Sequence, residues 1–210
     1  VKLDDDKSSV GLFSNFVSLK NLTLRGYGHR VTVVTPQLKN LIIRNWERIH
    51  VASAPNLTSF QCEGHYYPLQ LPADLHLDKA DIFIFRPFDV YDLSLDETSD
   101  DNAKACKIVC LLQQLHSVKF LTLNLESIEI LSTSVELISH QPSPFANLKS
   151  LKIYRKTYFT QKEQTQPKAT MCTEVMKYLL DGSPGATFTM VSLEPKTKLT
   201  ICRSLATKQF

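Results

Sequence analysis

Cys62-x-x-His65, with His76 close behind it, sets a thiol and an imidazole at a spacing that zinc can use. A zinc site needs four ligands, usually as two close pairs, and the sequence offers no second pair. Cys62 also falls at an inward position of a repeat, so it reads as a small core residue, and no metal is expected. Cys106 and Cys110 stand one helical turn apart, where they could hold a metal or meet an oxidant. Beside Ile108 and Leu111 on an amphipathic segment, they too read as core residues. The acids Asp96-Glu97 and Asp100-Asp101 lack the alternation, central glycine and closing glutamate of a calcium loop, and they read as a solvated loop feeding a helix. Asn21-Leu22-Thr23 and Asn56-Leu57-Thr58 match the glycosylation sequon, but each overlaps a repeat phrase whose leucine must point inward. There is no glycine-rich phosphate loop, no G-x-S-x-G elbow and no histidine in a recognisable catalytic motif. The expectation is therefore a non-catalytic chain without cofactor. An enzyme with dispersed catalytic residues is the rival that such a motif search would miss.

The elements that position these residues follow from a repeated phrase. Leu19-x-x-Leu22-x-Leu24, Leu38-x-x-Leu41-x-Ile43 and Leu57-x-x-Phe60-x-Cys62 recur every 19 residues, and Pro36 and Pro55 each stand two residues before the opening leucine. Ile82-x-Ile84, Val118-x-x-Leu121-x-Leu123 and Leu148-x-x-Leu151-x-Ile153 continue the phrase at uneven intervals. Side chains alternate across a strand, so Leu22 and Leu24 share one face while Thr23 and Arg25 share the other. A single such strand cannot bury its apolar side. Stacked in parallel and joined by short convex returns, successive strands close a continuous core, the arrangement of leucine-rich repeats. A 19-residue step leaves no room for a full helix, so the early returns should be extended or 3₁₀ turns.

Two later returns read as helices. Asp100-Asp101-Asn102 precedes a stripe of Ile108, Leu111, Leu112 and Leu115. Val175, Met176, Leu179 and Leu180 form a second stripe, stopped by Gly182 and Pro184, and Ala186 to Leu193 alternates as a last strand. The predicted fold is α/β: an irregular leucine-rich-repeat solenoid with a parallel sheet on its concave face, short convex returns and two helices towards the C-terminus. Its organisation reads as a polar N-terminal remnant at 1–11, the repeat domain at 12–154, a strand–helix–strand closing segment at 155–193 and a basic polar tail at 194–210.

The 210 residues are 43% hydrophobic and 21% charged, a globular composition rather than a disordered one. A net charge of +3 is too mild to point to nucleic acid, and no apolar run reaches membrane-spanning length. The five cysteines show no disulfide framework and suit an intracellular chain. The chain begins at Val1, which is read as a sign that it derives from a longer product. Lys149, Lys152, Arg155, Lys156 and Lys162 gather around the last repeat strand, either as a docking patch for an acidic partner or as a solvated loop.

FVSLKNLTLRG, TPQLKNLIIRNW, APNLTSFQCEG, FANLKSLKIY and EVMKYLLDGSPGATFTMVSL together resemble the leucine-rich region of plant F-box/LRR proteins. The final segment is similar to the tail of the FBD-associated subset, and the likeness spans roughly residues 12–193. The resemblance implies a substrate receptor. An F-box would dock the adaptor of a cullin–RING (SCF) ubiquitin ligase, and the repeat surface would hold the target, in the nucleus or cytoplasm. These residues contain no F-box, and Tyr27, Trp46 and His65 stand where a regular repeat would carry its asparagine.

Alternation then defines the face offered to a target: Thr23, Arg25, Ile42, Arg44, Gln61, Glu63, Phe83, Thr122, Asn124, Lys152 and Tyr154. Six strands at about 4.8 Å give a face roughly 24 Å wide, enough for a peptide or small domain. Ile42 and Phe83 are apolar on a face that should be wet, so they read as partner anchors, or as residues covered by loops. The expected partner is a protein, with neither nucleic acid nor membrane. A ligand-sensing fragment of a plant immune receptor and a truncated gene product are the other readings.

Overall fold

Alternating apolar residues in short, β-branched segments produce strands here, and the spacing between them decides what each return becomes. In this computed structural model the described residues are 13, 15–25, 31–45, 49–64, 69–72, 74–85, 101–156 and 172–193. In chain order they form β1 (Asn21–Arg25), β2 (Val31–Val34), β3 (Asn40–Arg44), β4 (Ile49–Ser53), β5 (Ser59–Gly64), β6 (Leu69–Gln70) and β7 (Lys79–Ile84). Then follow α1 (Asp101–Gln114), β8 (Phe120–Asn124), α2 (Leu125–Thr133), α3 (Val135–Ser139), β9 (Ser150–Lys156), α4 (Thr173–Leu180) and β10 (Thr187–Leu193).

Seven strands make one parallel sheet in the order β1-β3-β5-β7-β8-β9-β10, and β2-β4-β6 make a second parallel sheet. The register from β1 to β3 and from β3 to β5 steps by 19 residues, through Asn21, Asn40 and Ser59. Within that step the return is itself extended, because VTVV and IHVAS put Val31, Val33, Ile49 and Val51 inward, each 5% exposed or less. Beyond β7 the register jumps from Lys79 to Phe120, then to Ser150 and Thr187, and helices occupy the longer returns. The fold is thus α/β, with extended returns first and helical returns later.

A backbone motif recurs ahead of the large sheet's strands. The carbonyls of Lys20, Lys39, Thr58, Asp78 and Lys119 each accept two N–H groups from the next strand's first residues. Before that, Leu19, Leu38, Leu57 and Val118 each donate to the carbonyl three residues back, closing a turn. Pro36 and Pro55 occupy the second position of such turns, where a fixed φ is favoured. The prolines thus stand four residues ahead of β3 and β5, outside the strands.

One core joins both sheets and the helices. Leu41, Ile43, Phe60, Ile82, Leu121, Leu123, Leu151 and Ile153 enter it from the large sheet, all 2% exposed or less. On α1, Ala105, Ile108, Val109 and Leu112 face the core. Cys106 and Cys110 therefore project from its opposite side and are exposed, so the expectation that they are core residues is corrected. Cys62 packs against the core as expected, while Cys202 lies outside the described residues.

Helices α2 and α3 are additions to the two expected helices. The chain turns from β8 directly into α2, which packs against α1, α4, β8 and β9. Near the C-terminus, Gly182 lies so close to the Phe145 carbonyl that an added Cβ would sit 2.3 Å from its oxygen. Ser183 Oγ donates to the Phe145 carbonyl at 2.8 Å and accepts the Leu148 N–H at 2.9 Å, fixing the approach to β9. β9 extends to Lys156 and pairs with β10 along its length, so the segment expected at 155–193 contributes its last strand to the same sheet. The segments expected at 1–11 and 194–210 lie outside the described residues, as does Lys162.

Candidate partner-binding face

Because Leu41 and Ile43 enter the core, Ile42 and Arg44 must leave on the other side, and the parallel register carries this alternation from strand to strand. The result is three rows of side chains across the outward face of the large sheet. The leading row contains Asn21, Asn40, Ser59, Lys79, Phe120, Ser150 and Thr187. A middle row runs Thr23, Ile42, Gln61, Asp81, Thr122, Lys152 and Thr189. In the last row Arg25, Arg44 and Glu63 precede Phe83, with Asn124, Tyr154 and Val191 beyond it.

Of the residues expected on this face, Thr23, Arg25 and Lys152 are exposed, and Ile42, Arg44, Gln61, Glu63, Phe83 and Tyr154 are half-buried. Thr122 and Asn124 depart from the expectation: they are 7% and 2% exposed. The cause is local. Phe83 and Tyr154 meet edge to face, ring centroids 6.1 Å apart and planes at 67°, from the strands on either side of β8. Asn124 lies between those strands, in register with Tyr154. Its amide accepts the Ile84 N–H at 3.2 Å and donates to the Ile84 carbonyl, and its Oδ1 accepts the Ser127 hydroxyl. It also donates to Glu126. Asn124 thus continues the β7–β8 pairing with its side chain after the chain has turned into α2.

Oppositely charged neighbours lace the rest of the face. Arg44 Nε lies 3.1 Å from Glu63 Oε2 on the adjacent strand, an ion pair in which this N–H forms no hydrogen bond. Lys79 Nζ lies 2.7 Å from Asp81 Oδ2 two residues along β7, and Lys119 Nζ lies 2.6 Å from Asp78 Oδ1 at the leading edge. Asn40 donates to Asn21 Oδ1 at 2.6 Å, tying β3 to β1 outside the backbone ladder. The expected set omitted Asn21, Asn40, Lys79, Asp81 and Phe120. Strict alternation would have found them, since Asn21, Asn40, Asp81 and Phe120 each lie two residues from an expected position and Lys79 lies four from Phe83. Phe120 is 46% exposed, a large apolar group open to solvent on the leading row.

Such a surface can bind by hydrogen bonds, charge and aromatic contact. Burial pushes the Cys62 thiol up to about 12, with the charge of neighbouring Glu63 adding to the effect, so it stays protonated at neutral pH. Among the described residues, no group of three His, Cys, Asp or Glu is placed to hold a metal ion. His76 is exposed, and His65 lies outside the described residues. Among the described residues, too, no helix is long and apolar enough to cross a membrane. Comparison with protein-family models, curated proteins and solved structures finds no match to this chain.

Proposed function

We propose that the chain is a non-catalytic target-binding module, a leucine-rich-repeat solenoid whose outward sheet face holds another protein. The observation that carries this reading is the unbroken parallel register of the large sheet. It aligns polar, charged and aromatic side chains of seven strands in rows on one solvent-facing side. The 19-residue steps, each led by the same turn and bifurcated carbonyl, support the repeat reading. The fuller proposal is the substrate-recognition region of an F-box protein in a cullin–RING ubiquitin ligase, acting in the nucleus or cytoplasm. It draws on the segments FANLKSLKIY and EVMKYLLDGSPGATFTMVSL, and its F-box would be supplied outside these 210 residues.

The test is affinity capture with the wild-type chain and an Arg44→Ala/Tyr154→Ala variant. The wild type should retain partners that the variant loses, and an unchanged partner set removes the role from this face. The upstream transcript separates the two settings for such a module: an F-box supports the ligase reading, and a P-loop ATPase module supports an immune receptor.

A further inference from the structure

We infer that the outward face receives an extended acidic segment of a protein partner. This segment sets a carboxylate on Lys152 and, two residues along, an aromatic or long aliphatic side chain on the Phe83–Tyr154 pair. The inference rests on the binding role proposed above and names the chemistry of the partner.

Charge accounting points first to an acidic ligand. The acids Glu63, Asp81 and Asp78 are each matched by a base on this face or its leading edge. Exposed Lys20, Arg25, Lys39, Lys149 and Lys152 have no acidic partner among the described residues. The surplus is therefore positive throughout, although the whole chain carries only +3. A partner that brings carboxylates gains Coulomb energy and association rate without having to break an existing pair.

The aromatic pair supplies the anchor. Phe83 and Tyr154 are half-buried, and each holds the other's ring edge to face, so little side-chain freedom is left to lose on binding. Beneath them Asn124 is locked to Ile84 and Ser127, which makes the anchor's floor rigid. Lys152 and Tyr154 lie on the same face of one strand, two residues and about 6.7 Å apart. An extended segment running along β9 has the same pitch, hence an acid-x-aromatic or acid-x-leucine pattern. The net charge of the whole chain is only +3, too mild to hold a phosphate backbone, and the aromatic anchor suits an apolar side chain, which together favour protein over nucleic acid.

The experiment pans random linear peptides against the purified 210-residue chain. Binding of a fluorescein-labelled winner is then measured to the wild type and to Lys152→Glu and Tyr154→Ala variants. The expected winners carry Asp or Glu two positions from Phe, Tyr, Trp or Leu. Lys152→Glu should weaken them about tenfold and should prefer the same peptide with lysine in place of its acid. That reversal cannot arise from misfolding. Winners that lack the acid yet depend on Tyr154 overturn the acidic assignment while leaving the binding face intact. An absence of winners, or winners indifferent to both variants, overturns the inference and the role of the face together. Displacement of the peptide by an oligothymidylate at equal concentration overturns it in favour of nucleic acid.

Discussion

Asn124 occupies an outward register position but binds inward, and its amide does the work that a continuing β8 backbone would otherwise do for Ile84. Asn124→Ala leaves a buried N–H, a buried carbonyl and the Ser127 hydroxyl without this partner, which should cost about 2–3 kcal/mol. Urea unfolding measures that loss as a lower midpoint at unchanged slope. Asn124→Asp is no rescue, because a carboxylate would face the Ile84 carbonyl and Glu126. Cys62 supports a prediction with a pH sign. Its folded value of about 12 lies above the ordinary 9.0, and burial likewise raises Tyr178 from 10.0 to about 12, with Cys110 adding. In both cases the folded state holds its proton longer than the unfolded chain. Their stabilisation is complete below about pH 9 and lost as pH climbs towards about 12. Unfolding free energy should therefore fall over that window, and less steeply in Cys62→Ala. Inwardness was legible for Cys62 because it shares its parity with Phe60 in the phrase Leu57-x-x-Phe60-x-Cys62. It was not legible for Asn124, because parity cannot reveal that the strand stops there and that its neighbours' rings close overhead.

Elements were legible where a single period governed a segment. Strands β1, β3, β5, β7 and β9, helix α1 and helix α4 each bury one face, so their apolar residues fall in one alternation or stripe. Helix α2 behaves differently. Ser127, Ile128, Ile130 and Leu131 are all buried, because α1 and α4 as well as β8 and β9 surround it, and the stripe broadens until its period fades. Its N-cap, Asn124, makes no side-chain bond to the helix N–H groups, so the usual start signal is also missing. The link between α4 and β10 shows the opposite case, where one glycine carries a packing requirement. Gly182→Ala would press a methyl against the Phe145 carbonyl, and the backbone must move, at a cost of about 1–3 kcal/mol. Gly185→Ala meets nothing within 4 Å and should be close to neutral. Thermal unfolding of the two variants separates close approach from a general intolerance of alanine in this turn.

At the scale of the molecule, stability should be graded along the stack rather than uniform. Every strand of the large sheet pairs only with its neighbours in the order β1-β3-β5-β7-β8-β9-β10, so among the described residues β1 and β10 each have a strand partner on one side alone. At the β10 end, Phe188 and Met190 stand in register with buried Leu151 and Ile153, yet they are 41% and 42% exposed. The direction of these side chains could be read from the alternation of ATFTMVSL. That this strand is an edge could not, because exposure depends on what lies beside it. In the centre, Phe60 is fully buried between β3 and β7, and Phe60→Ala should cost about 3–5 kcal/mol. Amide hydrogen exchange is the measurement that tests the gradient. Protection should peak in β5, β7 and β8 and fall towards β1 and β10. In Phe60→Ala it should drop first in β3, β5 and β7, while β9 keeps more of its protection, because nearest-neighbour coupling weakens with each intervening strand. Equal loss in every strand would instead mean that the shared core welds the sheet into one cooperative unit. The outward rows would then be held rigid by the whole molecule, and a partner would meet a single preformed surface at both its β1 and β9 ends.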